Sequence, residues 1–186
     1  MNKQLIKLAE TTLLILEKKS WHSIKIDDVY KKTKINKKYL QNNVTNKRDL
    51  LQNINHYFDF MLRKTADLVD QSTHKDMIFE VIMMRFDILQ IHRKPIIKIF
   101  EFFKKRPQEL LFILPSLIES MITMARLAKI SIVGIKGNLK VKGLLVIYLS
   151  SFLVWVKDNS QSLDKTMTSL DNHLDRAGKL LSIIKI

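Results

Sequence analysis

Four side chains on one short segment have the chemistry to read a base. They are Lys37, Lys38, Gln41 and Asn42, within the run Lys37–Asn43. A lysine ammonium donates to the acceptor atoms of guanine or to a phosphate oxygen, and the amides of Gln and Asn pair bidentately with adenine. Other chemistries lack their residues. There is no Cys, which excludes a disulfide framework, a thiolate zinc site and a cysteine nucleophile. The five His, at 22, 56, 74, 92 and 173, show no metal-ligand spacing. Asp27–Asp28 reads as helix-start charge, not as an acid/base pair. Four glycines, none clustered, make no phosphate-cradling loop. Neither an enzyme nor a bound cofactor or metal is expected.

A reading segment needs elements to hold it. Leu5, Leu8, Thr12, Ile15 and Leu16 recur at helical spacing, which predicts a helix over 3–18. Trp21 follows in a loop, where its ring caps a small core. Ser23 stands as a capping hydroxyl before a second helix that carries Asp27–Asp28 in its first turns and ends near Thr33. Residues 34–36 turn, and Asn36 caps a third helix over Lys37–Asn43, with Leu40 seating it on Ile26 and Val29. Asn46 caps a long fourth helix, with Asp49 as the acidic half of a capping-box pair. Its buried face runs from Leu50 through Ile54, Tyr57 or Phe58, Met61 and Thr65 to Leu68, and its end is expected near Val69. Helix, short turn and short helix is helix-turn-helix spacing, in which the second helix enters the major groove. A plain three-helix cluster has the same spacing.

Composition agrees with long helices. The chain has 186 residues, 46% of them hydrophobic, with only 4 Gly and 3 Pro. Its formal charge is +14. Residues 1–50 hold 12 Lys/Arg against 5 Asp/Glu, and the remaining 136 residues hold 20 against 13. The first quarter is therefore the more basic, as a surface for nucleic acid or an anionic membrane would be. A general lysine bias is the plainer explanation. The most apolar run, Leu144–Val156, has thirteen residues, short of the about 20 that span a bilayer, and the N-terminus is not a signal peptide. A soluble cytoplasmic protein without a membrane span is expected.

Five stretches fall in ungapped order over residues 5–51. They are Ser20–Trp21, Ile26–Asp27–Asp28–Val29, Ile35–Asn36–Lys37, Leu40–Gln41–Asn42–Asn43–Val44 and Asn46–Lys47–Arg48–Asp49–Leu50–Leu51. Together they resemble the N-terminal DNA-binding domain of the TetR family of bacterial transcriptional regulators. Lys34 stands where that family has a glycine, Lys25 where it has Ser or Thr, Gln41 where it has Tyr and Val44 where it has Phe. The resemblance implies an all-α fold, with a helix-turn-helix domain over 1–46 and a helical ligand-binding and dimerisation domain over 47–186. It implies a repressor whose partners are a double-stranded DNA operator, a small apolar effector and a second copy. Lys37, Gln41 and Asn42 are then the expected base readers, and Lys25, Lys38 and Lys47 the expected phosphate contacts.

Residues 78–186 also resemble, more distantly, the TetR-fold lipid-binding proteins of ubiquinone biosynthesis, through Met84–Arg93, Lys140–Asp158 and Leu163–Arg176. A lipid or isoprenoid carrier that does not bind DNA is therefore the alternative. The sequence stops at Ile186 without the further amphipathic helix of those proteins, which favours the regulator.

Further helices are expected over 77–90, from Pro95 to Arg106, from Pro107 to Ala128 with a kink at Pro115, over 141–156 and over 163–184. Gly134–Gly137 is expected as a loop. The last two helices carry apolar seams with alternating spacings of four and three. One holds Val141, Leu145, Tyr148, Phe152 and Trp155, and the other holds Leu163, Met167, Leu170, Leu174, Ala177, Leu181 and Ile184. Leu145, Tyr148, Phe152, Trp155, Leu163, Met167, Leu170 and Leu174 are the expected homodimer interface, unless both seams pack inside one subunit. Six of eight Met and eight of nine Phe fall between residues 58 and 124. They read either as ordinary core or as the wall of a ligand cavity. The expected cavity residues are Phe58, Met61, Met84, Arg85, His92, Phe103, Met121 and Met124, with Arg85 and His92 as the polar groups.

Overall fold

A computed structural model describes residues 1–66 and 72–183, apart from the side chains of Lys37, Leu40, Gln41 and residues 180–183. The order is α1 Lys3–Lys18, α2 Ile26–Thr33, α3 Lys37–Asn43, α4 Lys47–Thr65, α5 His74–Ile91 and α6 Arg93–Lys105, then a 3-10 turn Pro107–Glu109, α7 Leu110–Leu127, α8 Gly134–Trp155 and α9 Asp164–Ile183. No strand occurs among the described residues, so the class is all-α. The chain forms two compact units, Met1–Met61 with Ile88–Leu117, and Leu62–Asp87 with Ile118–Ile186. These units are not divided at residue 46, because the first also holds most of α4, the end of α5, α6 and the start of α7.

In the first unit, Leu8, Ala9, Leu13 and Leu16 of α1 are buried with Trp21, Ile24, Val29, Val44 and Leu50. That is one apolar stripe of α1, which packs on α2 and α6. Long-range polar contacts fix the joints. Lys98 Nζ donates to the carbonyls of Leu16 and Glu17 at 2.7 and 2.8 Å, satisfying acceptors that the end of α1 leaves open. Asn55 Nδ2 donates to Ser116 Oγ at 2.7 Å, so a buried amide and a buried hydroxyl of α4 and α7 satisfy each other.

The second unit is organised by α8 packed on α9. Phe86 of α5 stacks on Tyr148 at 5.5 Å and on Trp155 at 6.4 Å. Asp158, fully buried, accepts from the backbone and hydroxyl of Ser160 and from those of Thr166, and so caps the start of α9. Burial would raise its pKa, yet these four hydrogen bonds hold the carboxyl well below the usual range.

Several expectations change. The hydroxyl of Ser23 does not cap α2, because the helix begins two residues later at an N-cap, Lys25, with no side-chain cap, and Ser23 bonds back to Ser20. Gly134–Gly137 is not a loop but the first turn of α8. Gly134 supplies a left-handed φ of 69° at its start, and a Cβ on Gly137 would collide with the backbone of Ile132. Both glycines serve a tight entry into the helix. The last helix starts at Asp164, one residue after Leu163. Leu68 and Val69, expected along α4, and Ile184 of the last seam lie outside the described residues, as does the side chain of Leu181.

The expectation that no segment reaches membrane-spanning length also changes. By length and composition alone, Pro107–Leu127 and Gly134–Trp155 would suffice, with mean hydropathies of 1.6 and 1.3. Uninterrupted apolar runs are shorter than these helices, because the helices alternate apolar residues with Ser, Lys and Glu. On α7, Ser116 and Thr123 are buried and accept hydrogen bonds from Asn55 and Arg63, which is a protein-packing face.

Candidate nucleic-acid interface

Local physical chemistry builds α2, the turn and α3. Asp27 and Asp28 lie in the first turn of α2, where carboxylates face the positive end of the helix dipole. Asp28 also pairs with Lys19 at 2.9 Å, tying α2 to the end of α1, and that ammonium lowers the pKa of its carboxyl. The second helical end is unusual. Lys34, its C-cap, is left-handed with φ 54° and ψ 27°, the conformation a glycine adopts without steric cost. This explains physically why the related pattern has glycine at this place. Asn36 then caps α3, its Oδ1 accepting from the backbone of Lys38 at 2.8 Å and of Tyr39 at 3.4 Å.

The far end of α3 is held as firmly. The Tyr30 hydroxyl donates to the carbonyl of Val44, joining α2 to the residue after α3, and Val44 is 2% exposed. Asn46 Oδ1 accepts from the backbone of Arg48 and Asp49, and Asp49 accepts in return from the backbone of Asn46 and from both donors of Thr45. This is the reciprocal capping box expected at the start of α4. Burial would raise the Asp49 pKa, but the hydrogen bonds from Thr45 and Asn46 hold it down.

The expected contact residues divide into three groups. Lys25, Lys38 and Asn42 are exposed and free to meet a partner. The side chains of Lys37 and Gln41 lie outside the described residues, as does that of Leu40. Lys47 is half-buried and already engaged: its ammonium donates to the carbonyls of Trp21 and His22 at 2.8 and 3.0 Å and sits 5.6 Å from the Trp21 ring centre. Burial lowers its pKa. Lys31, Lys32 and Lys34, not singled out in the sequence, are also exposed on the same helix and turn. The run Lys-Lys-Thr-Lys was the available signal.

The expected cavity residues are divided between the two compact units. Phe58, Met61, His92 and Phe103 belong to the first unit, and Met84, Arg85, Met121 and Met124 to the second. Phe58 and Tyr57 flank His92 with ring centres at 5.8 and 6.0 Å, and burial lowers the His92 pKa, opposed by Glu10 and Glu17. Arg85, Met121 and Met124 are almost wholly buried, as core side chains are. Met61 and Met84 are half-buried.

The expected dimer seam is largely used inside the chain. Tyr148, Trp155, Leu163, Leu170 and Leu174 are buried within the subunit. Leu145 and Phe152 are half-buried, and Met167 is 41% exposed. A different stripe of α8 faces outward: Ile135, Leu139, Val146, Leu149 and Leu153 are 38–89% exposed at spacings of four, seven, three and four.

No family model matches the sequence, and no curated protein does. Several solved structures match, among them two TetR regulators covered over almost their whole length. The TetR transcriptional regulator from Nitrosomonas europaea superposes with a TM-score of 0.73 at 17% identity, over 95% of this chain and 99% of that one. A tetR-family transcriptional regulator from Streptomyces coelicolor gives a TM-score of 0.53 at 12% identity, over the full length of both chains. The chain has the fold of TetR-type transcriptional regulators.

Proposed function

We propose that the chain is a TetR-type regulator that binds double-stranded DNA as a homodimer, works in the cytoplasm and responds to a small apolar effector. The observation that carries the reading is the helix-turn-helix of α2 and α3. Its second helix exposes Lys38 and Asn42, and Lys25, Lys31, Lys32 and Lys34 stand exposed on the neighbouring residues. Base readers on one helix with cations beside them are what major-groove recognition needs. In this reading Lys37, Gln41 and Asn42 read bases and Lys25, Lys38 and Lys47 hold phosphates. Lys47 keeps one of its three donors for a phosphate after serving Trp21 and His22.

The second copy would pack on the outer stripe of α8, with Leu145, Phe152 and Met167 at its border. The two solved structures described above carry the name of regulators, so the lipid-carrier alternative is not favoured. The test is binding to genomic duplexes by wild type, Asn42→Ala and Lys38→Ala. Asn42→Ala should relax base preference by about 1–3 kcal/mol at one position, and Lys38→Ala should weaken all sequences alike and flatten the salt slope. Identical behaviour of both variants and wild type would sink the assignment of α3.

A further inference from the structure

A cleft of about 630 Å³ opens in the first unit, outside the set of residues expected to hold an effector except for Phe103. That volume suits a drug-sized molecule. Its walls come from the loop after α1, the start of α4, the end of α6 and the start of α7. They combine two chemistries. Trp21, Phe102, Phe103 and Phe112 provide aromatic faces, and Phe112 is left 42% exposed to solvent. Lys47, Arg48 and Arg106 provide cations, with His22 beside them, against the single carboxylate of Glu109.

The cations lie against the apolar walls. Arg48 stands 3.1 Å from the centre of the Phe112 ring, Lys47 5.6 Å from that of Trp21 and Arg106 5.7 Å from that of Phe102. Each is thereby held within the cleft, where an anion meets it beside an apolar surface and not in open water. Glu109 approaches Arg48 only to 3.6 Å, a weak and half-exposed pair that a better-placed anion can replace. The α4 amides are not the attraction, because Asn46 already accepts from those of Arg48 and Asp49.

We propose that this cleft binds an amphipathic monocarboxylate, its acid group among Arg48, Arg106 and Lys47 and its apolar body against the four aromatic rings. An apolar molecule without charge would leave the cations unused, and a bare anion would leave the rings unused. Binding itself stands without the regulator reading. A consequence rests on that reading: because Lys47 serves both the cleft and a phosphate, the ligand and DNA compete.

The experiment is calorimetric titration of the full chain, without DNA, with dodecanoate and 2-naphthoate. Dodecylamine, with the same alkyl body and opposite charge, and inorganic phosphate are the controls. The expected result is one carboxylate per chain, with both controls at least about tenfold weaker, and Arg48→Gln and Arg106→Gln each weakening the carboxylates about tenfold. Lys165→Ala, on α9 of the other unit, should leave binding unchanged, and thermal melts verify that all variants fold. Equal binding of dodecylamine, equal binding of phosphate, or full affinity in both arginine variants overturns the proposal. Carboxylate binding by a chain with no affinity for DNA keeps the site and removes the regulator. DNA binding with no carboxylate affinity does the reverse.

Discussion

At the scale of single residues, Lys34 and Asp158 show how a local rule and a distant partner differ in legibility. Lys34 holds a left-handed φ of 54°, which costs a side chain with a Cβ roughly 1–2 kcal/mol. Lys34→Gly removes that cost but gives the unfolded chain more freedom, so a net gain of about 0.5 kcal/mol is expected in urea denaturation. A loss of stability would contradict the assigned conformation. Asp158 is buried with four donors aimed at it, and Asp158→Ala strands those donors. A loss of about 2 kcal/mol is expected. The pH dependence has a definite sign. Because folding lowers this carboxyl below its ordinary 3.8, the unfolded chain binds the proton more readily. The stabilisation is complete above the ordinary value and is lost as pH falls through it towards the lower folded value. Asp158→Asn should therefore melt with a flatter acid limb than wild type, and an unchanged limb would contradict the account. The sequence announced Asn36, Asn46 and Asp49 because their partners lie within four residues. It could not announce Lys98 on the end of α1, whose partners are more than 80 residues away.

At the scale of elements, helical periodicity located α1 to α4 closely, with Asn36 and Asn46 capping α3 and α4 as expected, whereas α2 starts without a side-chain cap. Periodicity was less informative for α8, which is apolar on two sides. Nothing in its own residues says which side Phe86 and α9 will cover. Tyr148 and Trp155 went inward, and Val146, Leu149 and Leu153 stayed outside. The two faces make opposite predictions. Leu149→Asp puts a carboxylate on an accessible face, so sedimentation should show a monomer with a thermal midpoint near that of a folded single chain. Leu170→Asp buries an unpaired carboxylate at a fully enclosed position, costing several kcal/mol, and should unfold the chain whatever its oligomeric state. A dimer that survives Leu149→Asp, together with Val146→Asp and Leu153→Asp, would remove α8 from the interface. Gly137 belongs to this scale too. A Cβ there meets backbone at Ile132, so Gly137→Ala must displace the entry to α8, a constraint that composition read as a loop.

At the scale of the whole molecule, the all-α fold and its likeness to TetR-type regulators were legible from scarce breakers and from the ordered motifs of residues 5–51. The division into compact units was not, because α4, α5 and α7 each run from one unit into the other, and sequence motifs mark helix starts and not unit boundaries. A concentration of Met and Phe along the chain does not say which of them share a space, so the expected cavity residues fall partly in one compact unit and partly in the other. If the chain is a dimeric regulator, its two recognition helices must meet successive major grooves about 34–36 Å apart, and the site must be a pseudo-palindrome. The most direct measurement is selection of duplex genomic fragments by the purified protein at low and at raised salt, followed by Kd values for the selected and scrambled duplexes. The account predicts an enriched pseudo-palindrome, bound about a thousandfold or more tightly than its scrambled form, with affinity falling as salt rises. Enrichment of no sequence, with equal Kd for every duplex, would contradict it.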